Sequence, residues 1–468
     1  MVRFGTGGWR AIIGDEFIKS NIILLAQAIA DDILEHNAQK SGIVIGYDRR
    51  FLSDTAAKWI AEVMAGNRIH VHYIGRVCPT PLVMFGVKTL ETRFGKAVTA
   101  SHNPADYNGI KVFTEGGRDA DASVTATFEA RMERGVVVKS MDFEEGVQAG
   151  LIEKCDLYNT YIDSIIDMIN MDVIREGHMR ILLDPMFGVS KTALQTILIT
   201  ARCDVDIIND RHDTLFGGRL PSPSAHTLQK LSSMVVEEHY DLGIGTDGDA
   251  DRIGIIDECG IFVHPNEILA LLYDYLLRVK GWRGDVVRNI ATTHVLDRIA
   301  EDFGQKCHEV PVGFKYISSK MEETDALIGG ESSGGLTIRG HIRGKDGIFA
   351  SALLVEMLCS TGKHLSELLA DIYARYGSCA MAEFDTKFSF EKKTELQEVL
   401  FNEKKIPDFG LEIEKISYLD GVKVYFKNGG WIIARFSGTE PLLRIFCEME
   451  NIEKANEIIA IMRKFLNL

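Results

Sequence analysis

Residues 242–257, LGIGTDGDADRIGIID, decide how this chain is read. Two short apolar, glycine-spaced runs (LGIGT and IGIID) enclose a loop carrying Asp247, Asp249 and Asp251. Gly248 and Ala250 separate the aspartates, so an irregular or extended loop can turn all three carboxylates toward one point. Oxygen donors of this kind suit Mg²⁺ or Ca²⁺. Three like charges so close repel unless a cation intervenes, and Arg252 is the one adjacent positive charge in sequence. Glu258 stands twelfth counting from Asp247, as in an EF-hand, but the sixth position is Arg252 rather than glycine and the flanks read as strands. A solvated acidic turn is the plainer alternative.

Outward from this loop the same grammar repeats. GKAVTA precedes Ser101, MRILLD precedes Pro185, and ALIGG precedes Glu331. Short apolar strands entering polar or Gly-rich loops, with helical stretches between, predict βαβ units and mainly parallel sheets. Ile22, Leu25, Ala26, Ile29 and Ile33 share one helical face. Ser20 and Asn21 offer N-caps there, and Gly42 precedes the strand Ile43-Val44-Ile45. Ligands of such sheets bind at the carboxyl ends of the strands, so the strand-end loops mark one shared cleft. The last ninety residues differ. GVKVYF, Asn428-Gly429-Gly430 and WIIARF predict a hairpin, LLRIFCEME a further strand, and residues 452–466 an amphipathic closing helix. The expected organisation is three α/β domains (1–150, 151–257, 258–376) and a smaller α+β domain (377–468) with a mostly antiparallel sheet.

Bulk properties agree. A chain of 468 residues exceeds one hydrophobic core. A formal charge of −15 argues against sequence-independent binding to nucleic acid, though not against small anions held in a local basic pocket. No apolar run is long enough to span a bilayer, and no export signal opens the chain. Its eight scattered cysteines form no CxxC pair, which points to a reducing, cytoplasmic setting.

Three more loops carry chemistry. TASHNPADYNGIKVF (99–113) presents Ser101 beside His102, with Lys111 downstream; a serine nucleophile needs a base, a metal or an electropositive setting, and the bland reading is an ordinary turn. GGESSGG (329–335) offers Glu331 and Ser333 to vicinal hydroxyls, and HIRGKDG adds His341, Arg343 and Lys345. RFSGTEPLLR (435–444) supplies Arg435, Ser437, Gly438, Thr439 and Arg444, the donors a phosphate dianion requires.

In this order the loops resemble the α-D-phosphohexomutase family, from FGTGGWR at residue 4 to RFSGTEPLLR, with GYDRR (46–50), CPTPL (78–82) and VGFKY (312–316) in support. The resemblance implies four domains around a central cleft. It implies that Ser101 carries the transferable phosphoryl group, and that Asp247, Asp249 and Asp251 hold Mg²⁺ with an oxygen on that serine. Glu331 and Ser333 would recognise the sugar, with Lys315 and His341 also among the substrate-binding residues. Arg435, Ser437, Gly438, Thr439 and Arg444 would grip the phosphate not being transferred. Arg10, His102, Lys111, Arg252 and Lys345 would line the reacting end, the general base being open among Lys345, His102 and His341. Gly335 stands where phosphomannomutase-like members commonly have His, whereas HIRGKDG and VGFKY resemble phosphoglucomutases. Ala250 and Ser332 depart from the phosphoglucosamine mutase pattern. The expected reaction is therefore interconversion of glucose 1- and 6-phosphates through glucose 1,6-bisphosphate, by a monomer or homodimer. Mannose or dual specificity is the alternative. A metal-dependent phosphatase and a non-catalytic sugar-phosphate binder are the rivals from other classes.

Overall fold

The computed structural model describes residues 2–5, 7–436 and 442–468, and every structural statement below concerns those residues. Four sheets follow one another along the chain. In the first, strands Phe94–Val98, Ile43–Tyr47, Val71–Ile74 and Ile152–Cys155 run parallel. Tyr107–Thr114 lies antiparallel to Phe94–Val98, and Trp9–Ile12 continues beyond it. Helices Lys19–Glu35, Ser53–Gly66 and Thr80–Thr89 connect the strands. The second sheet places Leu242–Thr246 parallel to Arg180–Asp184, and Arg180–Asp184 parallel to Asp204–Ile207. Ile253–Ile256 returns antiparallel and pairs with Phe262–Val263. The third has Cys307–Val310, Val286–Asn289 and Ile328–Gly330 parallel, with Leu336–Ile338 antiparallel. The fourth is wholly antiparallel, five strands between Ala380 and Met449, covered by helix Ile452–Leu466.

The α/β and α+β assignments thus hold, while the domain boundaries move by one strand. Ile152–Cys155 pairs with Val71–Ile74 and belongs to the first sheet, so a division at residue 150 falls early. Phe262–Val263 completes the second sheet, beyond the division at 257. Both are short edge strands whose sequence alone gives no pairing partner. The first long helix also starts earlier than its expected caps. Ser20 and Asn21 lie inside the opening turn, where the Asn21 side-chain Nδ2 donates to the Glu16 carbonyl at 2.7 Å.

The first unit has a core of its own beneath Trp9, Phe17 and Phe128. A second core runs through the second and third units and reaches helix Thr80–Thr89 of the first, where Phe85 meets Tyr161 edge-on. Helix Gly347–Thr361, buried along almost its whole length, is the common element of that core. The C-terminal unit has a separate core and touches the third through Ile290, Ala291, Trp431, Ile433 and Phe446. None of the described helices is long and apolar enough to cross a membrane. All eight cysteines are free.

Candidate active site

Strand Phe94–Val98 ends in a loop that the first unit holds from below. Asp48 accepts from Thr99 at 2.6 Å, and the Thr99 hydroxyl oxygen accepts the Ser101 amide at 2.8 Å. The Arg50 guanidinium donates to the backbone carbonyls of Ser101, Asn103, Pro104 and Tyr107 at 2.6 to 3.0 Å. Ser101 sits at φ 52°, a left-handed conformation uncommon for a residue with a Cβ. The fork of Arg50 supplies the bonds that maintain it. Here lies the role of GYDRR: Asp48 and Arg50 shape the serine loop from beneath.

The buried Ser101 hydroxyl donates to Asp247 Oδ2 at 2.7 Å, and His102 Nδ1 lies 3.3 Å from the same hydroxyl oxygen. Gly248 makes this approach possible, because a Cβ there would stand 2.8 Å from the Ser101 carbonyl oxygen. The aspartates occupy the turn between antiparallel strands Leu242–Thr246 and Ile253–Ile256. Asp247 Oδ1 accepts from the amides of Asp251 and Arg252, at 3.0 and 3.1 Å, which curls the loop around it.

All three carboxylates are buried and present oxygens within 4.8 Å of one another. Lys111 donates to Asp249 Oδ2 and Asp251 Oδ2, both at 2.6 Å. Thr80 adds a 2.5 Å bond to Asp249, and Lys345 reaches Asp251 at 3.1 Å. Burial, then Asp249 and Asp251, push the Asp247 carboxyl well above the usual carboxylate range. For Asp251 burial acts in the same direction, but Lys111, Lys345 and Arg252 outweigh it and hold the group low. Asp249 Oδ1 and Asp251 Oδ1 are buried without a hydrogen-bond partner. Two orphaned carboxylate oxygens beside Asp247, with no sulfur or imidazole in the set, fit a hard, oxygen-seeking dication such as Mg²⁺.

Arg10 donates to Asn103 Oδ1 at 2.6 Å, and burial together with Arg252 lowers its pKa. Arg252 Nε stands 3.8 Å from Asp251. The cations Arg252, Arg10 and Lys345, with burial, keep His102 from protonating. Lys315 lines one cavity with Gly5, Gly7, Gly8, Lys111 and Asp119. Arg10, His102, Lys111, Arg252 and Lys345, the residues expected at the reacting end, therefore converge around Ser101 and the aspartates.

The loop 331–335 joins antiparallel strands Ile328–Gly330 and Leu336–Ile338, with Ser333 Oγ donating to Glu331 Oε2 at 3.2 Å. Lys345 crosses it closely. A Cβ on Gly335 would lie 2.2 Å from Lys345 Cδ, so the glycine is what lets that stem pass toward Asp251. His341 is placed elsewhere than the substrate-binding role expects. It is buried, with Nε2 2.6 Å from Asp346 Oδ2, and the Tyr161 hydroxyl donates to the same oxygen at 2.7 Å. Asp346 caps helix Gly347–Thr361, so His341 braces the start of that helix. Arg343 pairs with Glu322.

On the C-terminal unit, Arg435 and Arg444 face each other across paired strands. Arg435 donates to Asp420 Oδ2 at 2.8 Å, and the same oxygen accepts the Val312 amide at 2.9 Å. This ties the VGFKY loop to the arginine. Arg444 stands 3.7 Å from Asp385. Ser437, Gly438 and Thr439 lie outside the described residues.

Asp119 and Thr80 were not singled out by sequence reasoning. Asp119 Oδ2 is buried without a partner, and burial raises its carboxyl while Lys345 and Lys111 draw it down. Nothing in RDADAS distinguishes it from its acidic neighbours. Thr80 stands within CPTPL, a stretch that carried no role beyond the resemblance.

Comparison with known proteins agrees with this architecture. Family models for the phosphoglucomutase/phosphomannomutase α/β/α domains I, II and III match residues 1–136, 159–260 and 264–376, and that for the C-terminal domain matches 391–465. A phosphoglucomutase/phosphomannomutase of Thermococcus kodakarensis is 30% identical, over 99% of this chain and 98% of its own length. A phosphoglucosamine/phosphogalactosamine mutase of Sulfurisphaera tokodaii is 27% identical, over 99% and 98%. A crystal structure described as a putative phosphomannomutase from Thermus thermophilus superposes with a TM-score of 0.87 at 29% identity, covering 100% of this chain and 99% of that one. The chain belongs to the phosphoglucomutase/phosphomannomutase family, the sugar-phosphate mutases of the α-D-phosphohexomutase superfamily.

Proposed function

We propose that the protein is a phosphoglucomutase, interconverting glucose 1-phosphate and glucose 6-phosphate through phospho-Ser101 and glucose 1,6-bisphosphate. One observation carries this: the Ser101 hydroxyl lies 2.7 Å from Asp247 in a buried site where Lys111 bridges Asp249 and Asp251. Phosphate-monoester cleavage is among the slowest uncatalysed reactions. The phosphoryl charge must therefore be met from several sides by preorganised groups. Mg²⁺, held by Asp247, Asp249, Asp251 and an oxygen on Ser101, would supply positive charge to the phosphoryl oxygens. Lys111, Arg10 and Arg252 add charge from the protein.

In the first half-reaction the bond from phosphorus to Ser101 Oγ breaks and a bond to O6 of glucose 1-phosphate forms. The O6 proton ends on Ser101 Oγ. Glucose 1,6-bisphosphate then turns in the cleft, and the second half-reaction returns the 1-phosphoryl group to Ser101. Glu331 and Ser333 hold the sugar hydroxyls in both orientations, with Lys315 over the cleft. Arg435, Ser437, Gly438, Thr439 and Arg444 grip the phosphate that stays. The buried bond of His341 to Asp346, whose same oxygen accepts from Tyr161, favours a bracing role over direct sugar binding.

Glucose is preferred over mannose because HIRGKDG and VGFKY follow the phosphoglucomutase pattern and Gly335 leaves the Lys345 stem across the sugar loop. The relatives' names span glucose, mannose, glucosamine and galactosamine phosphates, so these sugars form the test panel. Turnover on the four 1-phosphates, each with and without its 1,6-bisphosphate, should be highest for glucose and depend on the bisphosphate. Higher kcat/KM on mannose or glucosamine 1-phosphate would replace the assignment of sugar. Stoichiometric release of inorganic phosphate would replace the assignment of reaction.

A further inference from the structure

We propose that the outer edge of the first sheet carries a second metal site, distinct in chemistry from the aspartate loop, built from His70, His72 and Glu153 to hold a borderline transition dication of the Zn²⁺ type. Its three donor atoms lie within 4.8 Å of one another. His70 Nε2 stands 3.2 Å from Glu153 Oε2, and His72 Nδ1 stands 3.7 Å from the same oxygen. These separations are close to the edge of a tetrahedron whose metal–ligand bonds are about 2.0–2.2 Å. The two imidazoles meet edge-on, with centroids 4.6 Å apart.

The backbone sets this grouping rather than chance contact of long side chains. Residues 70 and 72 are two apart in extended chain and share a face. Strand Val71–Ile74 pairs in parallel with Ile152–Cys155, and His72 is the register partner of Glu153. His70 is fixed at both of its backbone polar groups, its amide on Gln39 and its carbonyl under the Ile43 amide.

Donor type separates this group from the aspartate loop. Two nitrogens and one carboxylate favour Zn²⁺, Ni²⁺ or Cu²⁺, whereas three carboxylates suit Mg²⁺. Position separates them too. Ser101 follows the carboxyl end of strand Phe94–Val98, while His70 precedes the amino end of Val71–Ile74, which lies toward the opposite edge of the sheet. Ile152–Cys155 is the edge strand of that sheet and leads into helix Tyr158–Ile166 of the second unit. An ion bound by Glu153 and the two histidines would clasp this strand, and with it the start of the second unit, to the first.

The test uses the full chain in saturating Mg²⁺, titrated with Co²⁺ and then Zn²⁺. The expected result is one equivalent of Co²⁺ with the visible absorption of a low-coordinate, imidazole-ligated ion, displaced by Zn²⁺, and a rise in melting temperature with Zn²⁺. The pair His70→Ala/His72→Ala should abolish the band and the rise. Glu153→Gln, a milder change at an exposed position, should weaken binding about tenfold or more, and Asp249→Asn should leave it intact. Mg²⁺-dependent mutase activity, expected to persist in the histidine and Glu153 variants, verifies their folding. The proposal is overturned if the Mg²⁺-saturated protein binds no Co²⁺ with such a band. It is equally overturned if the band survives Glu153→Gln and the histidine pair at full strength, or disappears in Asp249→Asn.

Discussion

Asp249 and Asp251 each rest one carboxylate oxygen on Lys111 and leave the other buried without a partner. Asp249→Asn replaces a charged ligand by an amide, and sharply weakened metal-dependent turnover in a protein that still folds is the expected result. An unaltered Mg²⁺ requirement would remove the metal assignment. The triad was readable in sequence because the alternation Asp-x-Asp-x-Asp between strand-like flanks is itself a geometric statement. Asp119 was not, since an orphaned oxygen becomes visible only when the chain has folded over it. Lys96 is a second such residue. It lies fully buried in strand Phe94–Val98, its ammonium nitrogen has no partner, and burial pulls its pKa down to about 7. Between about pH 7 and 10.5 the unfolded chain binds more protons than the native one, so this group's contribution to stability rises with pH across that window. Lys96→Met keeps the stem and removes the amine. It should stabilise the protein by roughly 3–5 kcal/mol near pH 7, falling toward zero near pH 10.5. Denaturant unfolding at several pH values measures this, and a gain independent of pH would show that burial of charge is not the cause.

Elements of the site depend on where glycine lets another chain segment pass. GGESSGG was read for the hydroxyl-binding side chains of Glu331 and Ser333, and the structure adds that at Gly335 the Lys345 stem passes closely. Gly335→Ala should displace that lysine from Asp251 and lower kcat about 100-fold, the order expected for an ångström of misplacement, with little change in melting temperature. Loss of stability in place of loss of turnover would assign Gly335 to folding alone. The strands bearing the loops were legible because apolar runs ending in Gly, Ser or Asp punctuate the chain. Less legible were Ile152–Cys155 and Phe262–Val263, whose place depends on partners distant in sequence. His341 was misleading for the same reason: its neighbours in HIRGKDG suggested a phosphate, whereas the fold seats it on Asp346.

At the scale of the whole molecule, a buried charged cluster docks the C-terminal unit on the third. Lys423 donates to the Ile290 carbonyl at 2.7 Å and to Glu309 at 2.8 Å, and its nitrogen lies over the Trp431 ring at 4.3 Å. Arg288 donates to Glu309 at 2.6 Å, and Tyr425 also bonds it. Burial raises the Glu309 carboxyl, but Arg288 and Lys423 outweigh it and hold the group at about 2. Glu309's own contribution is therefore present above about pH 4.5 and is lost as pH falls through about 2, while burial pulls its partner Lys423 down to about 7, so that cation discharges as pH rises through that value. Glu309→Gln leaves the buried Lys423 without its carboxylate, Arg288 keeping Asp297, and should cost about 3–5 kcal/mol. Calorimetry and limited proteolysis near residue 377 would register it as earlier release of the C-terminal unit, and wild-type behaviour of both would refute the docking role. The four-unit plan was evident in sequence, but this cluster was not, because its members are scattered from 288 to 431.

Whether Ser101 carries a phosphoryl group between two ends of one sugar is decided by transfer of label. The protein is incubated with glucose 1,6-bisphosphate carrying ³²P and then digested for peptide mapping. Label is expected on Ser101, passing into hexose phosphate when unlabelled glucose 1-phosphate is added, with neither event in Ser101→Ala. Label on another residue, or near-normal turnover of Ser101→Ala with bisphosphate present, would contradict it.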